Sequence, residues 1–163
     1  MRCLTFARAG SASSADPPFP FVSQRVAAKD EAEIHTPPGG KLIMYQGWAD
    51  SGAGGVPPLK AVNYYETTER TMGGPAATRD FFRLFMLPGM GHCGGGEGAS
   101  NVDYVSYLEQ WVEKGRAPDA LIATHHGPGQ STFTRPVFPY PTQAKYKGVG
   151  DPANADSFKP TEP

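Results

Sequence analysis

The chain has little of what marks several large classes of protein. It contains two cysteines, Cys3 and Cys93, in 163 residues, which is too few for a disulfide framework to hold the fold together. No run of apolar residues approaches the length that a transmembrane helix needs. The formal net charge is −1 and no basic run occurs, so we expect neither nucleic acid nor a membrane as a partner.

The sequence also shows no recognisable pattern for a metal site, a nucleotide site or a signal peptide. The histidines and cysteines show no paired ligand spacing, and the neighbours His125 and His126 would point to opposite faces of an extended segment. The glycine-rich residues 51–55 lack the Lys-Ser or Lys-Thr of a phosphate-binding loop. The first eight residues hold too few apolar side chains for the core of a signal peptide. We therefore expect no metal, no nucleotide and no secretion signal in this chain.

Glycine and proline are abundant, and they limit how much regular structure the chain can form. Gly 20 and Pro 17 stand beside a hydrophobic share of only 39%, which predicts a large proportion of loop and coil. The length fits one domain. Prolines and a lack of periodicity predict an irregular leader over residues 1–38 and a surface-wrapping tail of coil over residues 127–163. The ordered part is then expected within residues 39–126.

The clearest strand is predicted at residues 81–87, where mostly apolar and partly aromatic side chains follow one another. Pro88 and Gly89 end it, and His92 follows on a loop rich in glycine. In open α/β sheets, ligands and chemistry collect on the loops that follow the strands. A histidine at this place is either an exposed loop residue without a role or a catalytic base.

A second strand with the same pattern is predicted upstream at residues 41–46, and Asp50 follows it. A helix is expected between the two strands, within residues 57–72. A strand–helix–strand unit of this kind is a right-handed crossover, and its strands are parallel. The sequence thus predicts Asp50 and His92 on neighbouring loops, with the carboxylate within hydrogen-bond reach of a ring nitrogen.

The order of Asp50 and His92, each just after a strand, matches the acid and the base of an α/β-hydrolase triad. The aspartate would orient the imidazole and stabilise its positive charge, and the histidine would take a proton from a nucleophile. No Gly-x-Ser-x-Gly segment, which would carry that nucleophile, occurs in the 163 residues. Because an Asp–His pair without a serine has nothing to activate, the chain alone is expected to be inactive.

Two further elements are predicted beyond the histidine loop. Ser100 or Asn101 is expected to cap a second long helix, with Asp103 in its first turn. The apolar stripe of this helix includes Trp111, and such a stripe belongs to a core far more often than to a cofactor site. Residues 121–124 are then expected to form a short last strand.

Several separate motifs occur in a fixed order along residues 39–158. They read Gly-Gly-Lys-Leu-Ile-Met-Tyr-Gln-Gly-Trp-Ala-Asp at 39–50, Phe-Arg-Leu-Phe-Met-Leu-Pro-Gly-Met-Gly-His-Cys-Gly-Gly-Gly at 82–96, and Leu-Glu-Gln-Trp-Val-Glu-Lys-Gly-Arg-Ala-Pro at 108–118. With these motifs the chain resembles the C-terminal third of the tannase and feruloyl esterase family. The resemblance implies an α/β fold: a partial α/β-hydrolase sheet of parallel strands with crossover helices. We expect long coil termini around it, and residues 39–126 would be the C-terminal portion of the catalytic domain.

The resemblance also implies an activity and the residues that carry it. Members of the family use a serine to cleave esters of aromatic acids: gallate, ferulate and, in one branch, mono(2-hydroxyethyl) terephthalate. Asp50 matches the triad acid and His92 matches the triad base. Cys93 matches a cysteine that, in the family, is bonded to a cysteine just before the serine. The implied substrate is a small aromatic ester, and the implied location is secreted or periplasmic.

Other parts of the family pattern are missing from these 163 residues. Cys3 is followed by Leu4 and not by a serine, so it does not match the family's partner cysteine for Cys93, and the sequence leaves open whether Cys3 and Cys93 pair. The oxyanion hole, the first half of the sheet and the lid with the family's calcium site are missing as well. We therefore expect no cofactor in this chain, and we expect the missing N-terminal half or another chain as its partner.

Two departures from the family pattern concern the tail. Phe138 and Lys159 stand where the family has two cysteines that pair with each other, which predicts a tail that is less tightly held. The main hypothesis is a piece of an ester hydrolase. The alternative is a non-catalytic α/β binding or assembly module that kept the family's surface and lost its chemistry.

Overall fold

The centre of the molecule is a three-stranded sheet, seen in a computed structural model that describes residues 4–7, 39–51, 57–126 and 132–163. The strands lie side by side in the order β1 (Leu4–Ala7), β2 (Lys41–Gly47) and β3 (Phe82–Leu87). β2 and β3 are parallel and in register along their full length. This pairing confirms the prediction of two adjacent parallel strands.

Strand β1 was not expected. It runs antiparallel to β2, with Leu4 opposite Met44 and Ala7 opposite Lys41. The prediction of an irregular leader is therefore wrong at these four residues, and the rest of that leader lies outside the described residues. The physical reason is that the outer edge of β2 presents backbone donors and acceptors, which a short alternating segment such as Leu-Thr-Phe-Ala can satisfy.

Helix α1 (Pro58–Thr71) connects β2 to β3, as predicted. Pro58 stands at its first position, where no backbone N–H is needed. One face of α1 is buried, and its buried residues repeat at helical spacing: Ala61, Val62, Tyr65 and Thr68. A second, short helix α2 (Pro75–Arg79) occupies most of what was predicted to be a turn-rich connection. Gly74, at φ 98°, supplies the left-handed bend between the two helices.

The central sheet is apolar on both faces, as is usual for parallel strands. One face packs against α1 and buries alternate residues of the two strands: Leu42 and Met44 from β2, and Phe82, Leu84 and Met86 from β3. The other face buries Ile43, Phe85 and Leu87 together with Leu108 and Trp111 from the next helix. Each such side chain contributes about 1.5–3 kcal/mol when fully buried, so both strands are fixed from two sides.

Helix α3 (Tyr104–Lys114) covers the second face, but its cap differs from the prediction. Asp103 is the N-cap, and its carboxylate accepts the backbone N–H of Ser106 at 3.2 Å. Ser100 and Asn101, predicted as caps, instead donate their backbone N–H groups to the carbonyl of Thr124. Across the described ranges, every helix is too short or too polar to cross a membrane.

The tail contains strands that its proline content did not predict. β4 (Leu121–His125), one residue longer than the predicted last strand, pairs antiparallel with β5 (Phe133–Val137). β6 (Gln143–Tyr146) pairs antiparallel with β7 (Phe158–Thr161). The prediction of coil is therefore wrong for these parts of residues 132–163. Proline is tolerated because these are two-stranded sheets, in which every strand has an edge that needs no donor.

Candidate active site

Two loops at the carboxyl ends of β2 and β3 form the candidate site, and their backbones are bonded to each other. The N–H of Trp48 donates to the carbonyl of Leu87 at 2.9 Å, and the N–H of Ala49 donates to the carbonyl of Met90 at 3.0 Å. These bonds continue the β2–β3 pairing one step beyond the strands. The loop after β2 is therefore held against the loop after β3, as the parallel arrangement predicted.

Glycine makes this close approach possible at Gly47. A Cβ atom there would overlap the backbone carbonyl oxygens of Met90 and Gly91. The histidine loop closes on itself in a similar way, since the N–H of Gly98 donates to the carbonyl of Gly89 at 3.0 Å. The glycines of these loops thus fix how near the histidine comes to β2.

Asp50 and His92 meet across the two loops. The Oδ2 atom of Asp50 lies 2.8 Å from the Nδ1 atom of His92. The Asp50 side chain is almost fully buried, at 2% exposure, whereas the His92 side chain is 36% exposed. The predicted contact between the two side chains is therefore present in the structure, forty-two positions apart in sequence.

This geometry determines what the pair can do chemically. A carboxylate accepts hydrogen bonds, so it favours the tautomer in which Nδ1 of His92 carries the proton. Nε2 is then the nitrogen that can accept a proton from a reacting group. A buried carboxylate behind a half-exposed imidazole is the arrangement of acid and base in a hydrolase triad. The catalytic role of the two residues remains a prediction.

Gln46 is a member of the site that the sequence reasoning missed. Its Nε2 atom donates to Oδ2 of Asp50 at 2.7 Å, and the residue is only 5% exposed. The sequence pattern marks it only as the end of an apolar strand. The available signal was a polar residue inside that strand, four positions before the aspartate, because a buried amide needs a hydrogen-bond partner.

Cys93 follows His92 directly and is disulfide-bonded, a pairing that the sequence left open. The chain has one other cysteine, Cys3, which lies outside the described residues. Because β1 runs antiparallel to β2, its first residue, Leu4, lies opposite Met44, towards the end of the sheet where β2 and β3 finish.

The two other histidines among the described residues, His125 and His126, have different surroundings. His125 is buried, and its Nδ1 atom lies 2.9 Å from the carbonyl oxygen of Gly98, while its ring stacks on Phe133. His126 is exposed. Within the described residues no group of three or more histidine, cysteine or carboxylate side chains could hold a metal ion. His125 therefore contacts the loop that carries His92, through the carbonyl group of Gly98.

The fold and the Asp–His pair define a protein of the α/β-hydrolase type, and solved structures agree. The crystal structure of an esterase from Aspergillus oryzae matches 76% of this chain with a TM-score of 0.66 and 28% identity. Feruloyl esterase B from the same organism matches 76% of the chain with a TM-score of 0.68 at 24% identity, which shows the fold alone. The model of the tannase and feruloyl esterase family matches residues 28–161. The chain belongs to this family.

Two curated relatives show how much of a family member the chain represents. Mono(2-hydroxyethyl) terephthalate hydrolase from Piscinibacter sakaiensis is 43% identical over 116 residues, which cover 69% of this chain and 18% of the relative. A probable feruloyl esterase from Arthroderma benhamiae is 39% identical over 125 residues, which cover 74% of this chain and 22% of the relative. The chain thus spans about a fifth of the length of these relatives, whose names describe carboxylic ester hydrolases.

Proposed function

We propose that the chain supplies the acid and the base of a serine-type carboxylic ester hydrolase. One observation carries this proposal: the 2.8 Å contact between the buried carboxylate of Asp50 and Nδ1 of His92 at the carboxyl edge of two parallel strands. The same edge is where α/β folds place their chemistry. Membership of a family whose named relatives are esterases supports the same reaction class.

The proposed mechanism assigns one task to each residue. Nε2 of His92 takes the proton of a serine hydroxyl as that oxygen attacks the ester carbonyl, and it then returns the proton to the leaving alcohol. Asp50 holds the ring in the required tautomer and stabilises the imidazolium that forms. The serine comes from outside these 163 residues, either from a longer polypeptide or from a separate chain. No cofactor bound by this chain takes part.

Esters of aromatic acids are the proposed substrates. The names of the two curated relatives specify a terephthalate ester and a feruloyl ester, and in both the aromatic ring is conjugated with the scissile carbonyl, directly in terephthalate and through a carbon–carbon double bond in ferulate. The segment that matches the family model, residues 28–161, contains Asp50 and His92. We therefore expect a methyl ester such as methyl ferulate to serve as a first substrate.

The test combines this chain with a serine-bearing partner. The purified 163-residue chain is assayed with methyl ferulate alone, and then together with the serine-containing N-terminal portion of a family relative, added in trans or joined upstream. We expect turnover only in the combined sample, because neither the acid–base pair nor the serine suffices by itself. His92→Ala in the combined sample should lower turnover by several orders of magnitude.

A matched control uses the exposed histidine near the end of β4. His126→Ala removes an imidazole outside the site and should leave turnover unchanged. Equal turnover of the His92→Ala and unmodified samples would refute the proposal. A combined sample that forms a stable complex but has no turnover would favour the alternative of a non-catalytic assembly module.

A further inference from the structure

Gln46 contacts the one carboxylate oxygen that also faces the histidine. Its Nε2 atom lies 2.7 Å from Oδ2 of Asp50, and the same Oδ2 lies 2.8 Å from Nδ1 of His92. Gln46 is part of β2, a strand fixed on both faces by the core, whereas Asp50 lies beyond the end of that strand. The Gln46 amide thus links the loop that carries Asp50 to a strand that the core holds in place.

An apolar side chain is expected at the position of Gln46, but Gln46 carries a polar amide. Met44 precedes it on the same side of the strand, and Met86 lies opposite it in the register of β2 and β3. A buried amide in such surroundings costs free energy unless its polar atoms are bonded. The amide of Gln46 is an uncharged donor. It can therefore hold the Asp50 carboxylate without adding a second positive charge beside that of a protonated His92.

We propose that Gln46 is a positioning residue, which fixes the Asp50 carboxylate so that Oδ2 selects the Nδ1–H tautomer of His92. This inference rests on the proposed function for its catalytic meaning, but its structural content concerns the isolated chain. Gln46 is only 5% exposed, so it offers almost no surface to a substrate. It is therefore expected to affect turnover through Asp50 and His92, and not through substrate binding.

The first experiment measures the tautomer of His92 in the isolated chain, by ¹⁵N NMR of the imidazole above the pH at which it loses its charge. The unmodified chain should show the Nδ1–H form in large excess. Gln46→Met fills the same space and removes the donor, so the ratio of Nδ1–H to Nε2–H should fall about fivefold or more. Gln46→Asn, which keeps the amide but is one methylene shorter, should change the ratio in the same direction.

Met44→Leu is the matched control, since it alters the same face of β2 without touching the carboxylate. It should leave the tautomer ratio unchanged, and circular dichroism should show all three variants folded. An unchanged ratio in both folded Gln46 variants would overturn the proposal. If Met44→Leu changed the ratio as much as Gln46→Met does, packing of the strand would be responsible and the positioning role would be refuted.

The second experiment uses the combined, active sample described above. Gln46→Met should lower kcat about tenfold to a hundredfold and leave KM nearly unchanged, because the lost hydrogen bond acts on the base and not on the substrate. A rise in KM at constant kcat would contradict positioning. If the unmodified combined sample has no turnover, the proposed function fails, but the NMR measurement still decides the role of Gln46.

Discussion

The acid–base edge, residues 46–50 with residues 88–98, and the tail, residues 132–163, are held in place by different kinds of contact. Backbone hydrogen bonds dominate at the edge, where Trp48 and Ala49 donate to carbonyls at and beyond the end of β3. In the tail, side-chain contacts add to the backbone pairing of β5 with β4 and of β6 with β7. The guanidinium of Arg135 lies between the rings of Phe133 and Phe158, 4.6 Å from each centroid.

The tail is also attached to the central sheet and to α1 through Tyr140. Its backbone N–H donates to the carbonyl of Leu84 at 2.8 Å, and its hydroxyl donates to the carboxylate of Glu66 on α1 at 2.9 Å. These contacts lie in the region where Phe138 and Lys159 replace the paired cysteines of the family pattern. The prediction of a less tightly held tail remains untested, but the structure shows which contacts fasten it.

The difference teaches where a single change acts. Contacts between backbones cannot be removed by trimming one side chain, so the edge should respond to changes that add bulk or that alter Gln46, Asp50 or His92. Contacts between side chains can be removed one by one, each with a modest effect. Changes at the edge should therefore have large effects on activity, and changes in the tail should have small effects on stability.

The largest effect is expected from Asp50→Asn in the combined, active sample. The amide preserves the shape of the side chain but can donate to Nδ1 of His92, which favours the wrong tautomer, so kcat should fall about 10⁴-fold. The measurement is steady-state hydrolysis of methyl ferulate. Asp119→Asn removes a carboxylate whose side chain is 90% exposed and should leave kcat unchanged. A loss smaller than tenfold for Asp50→Asn would mean that Asp50 is not the acid of the pair.

A smaller effect, on the geometry of the same edge, is expected from Gly47→Ala. The added Cβ would overlap the carbonyl oxygens of Met90 and Gly91, so the histidine loop must move. Overpacking of this kind costs about 1–3 kcal/mol of unfolding free energy, which chemical denaturation can measure. Gly94→Ala lies in the same loop with no atom within 4 Å of the added Cβ, and it should change stability by less than about 0.5 kcal/mol. Equal stabilities of the two variants would contradict the close approach.

The acid–base edge could be predicted from the sequence because its signals are local. Apolar runs ended by glycine or proline mark β2 and β3, and the crossover rule then brings Asp50 and His92 to one edge. Gln46 could not be assigned, since its partner depends on the path of the loop after β2. The strands of the tail could not be predicted either, because they form through contacts such as Arg135 with Phe158, which leave no periodic pattern in the sequence.

In the tail, Tyr140→Phe should have an effect of about 1 kcal/mol on the free energy of unfolding, the usual contribution of one hydrogen bond. A double-mutant cycle with Glu66→Ala isolates the contact, because alanine removes the oxygen to which the hydroxyl donates. A coupling energy near zero would show that the hydroxyl does not fasten the tail.

Burial, together with the Glu66 hydrogen bond, also raises the pKa of Tyr140. The absorbance of Tyr140 should therefore titrate above the usual pH range of a tyrosine, and its pKa should return towards that range in the Glu66→Gln variant.

The smallest effect is expected at Asp103, a carboxylate that caps a helix in full contact with water and so contrasts with the buried Asp50. Hydrogen bonds from the side chain and the backbone of Ser106 lower the pKa of Asp103 below the usual value of an aspartate. A lowered pKa in the folded state means that the ionised form favours folding. Its contribution is therefore complete above the unfolded pKa and disappears as the pH falls through the folded one.

Asp103→Asn keeps a capping side chain but cannot titrate. The stability difference between this variant and the unmodified chain should therefore be constant above about pH 5 and shrink below about pH 4. Thermal unfolding followed by circular dichroism across this range measures that difference. Glu109→Gln, an exposed carboxylate on the same helix that caps nothing, is the control and should not reproduce the change. A stability difference for Asp103→Asn that stays constant down to pH 2 would show that the Ser106 hydrogen bonds do not depend on the charge of the cap.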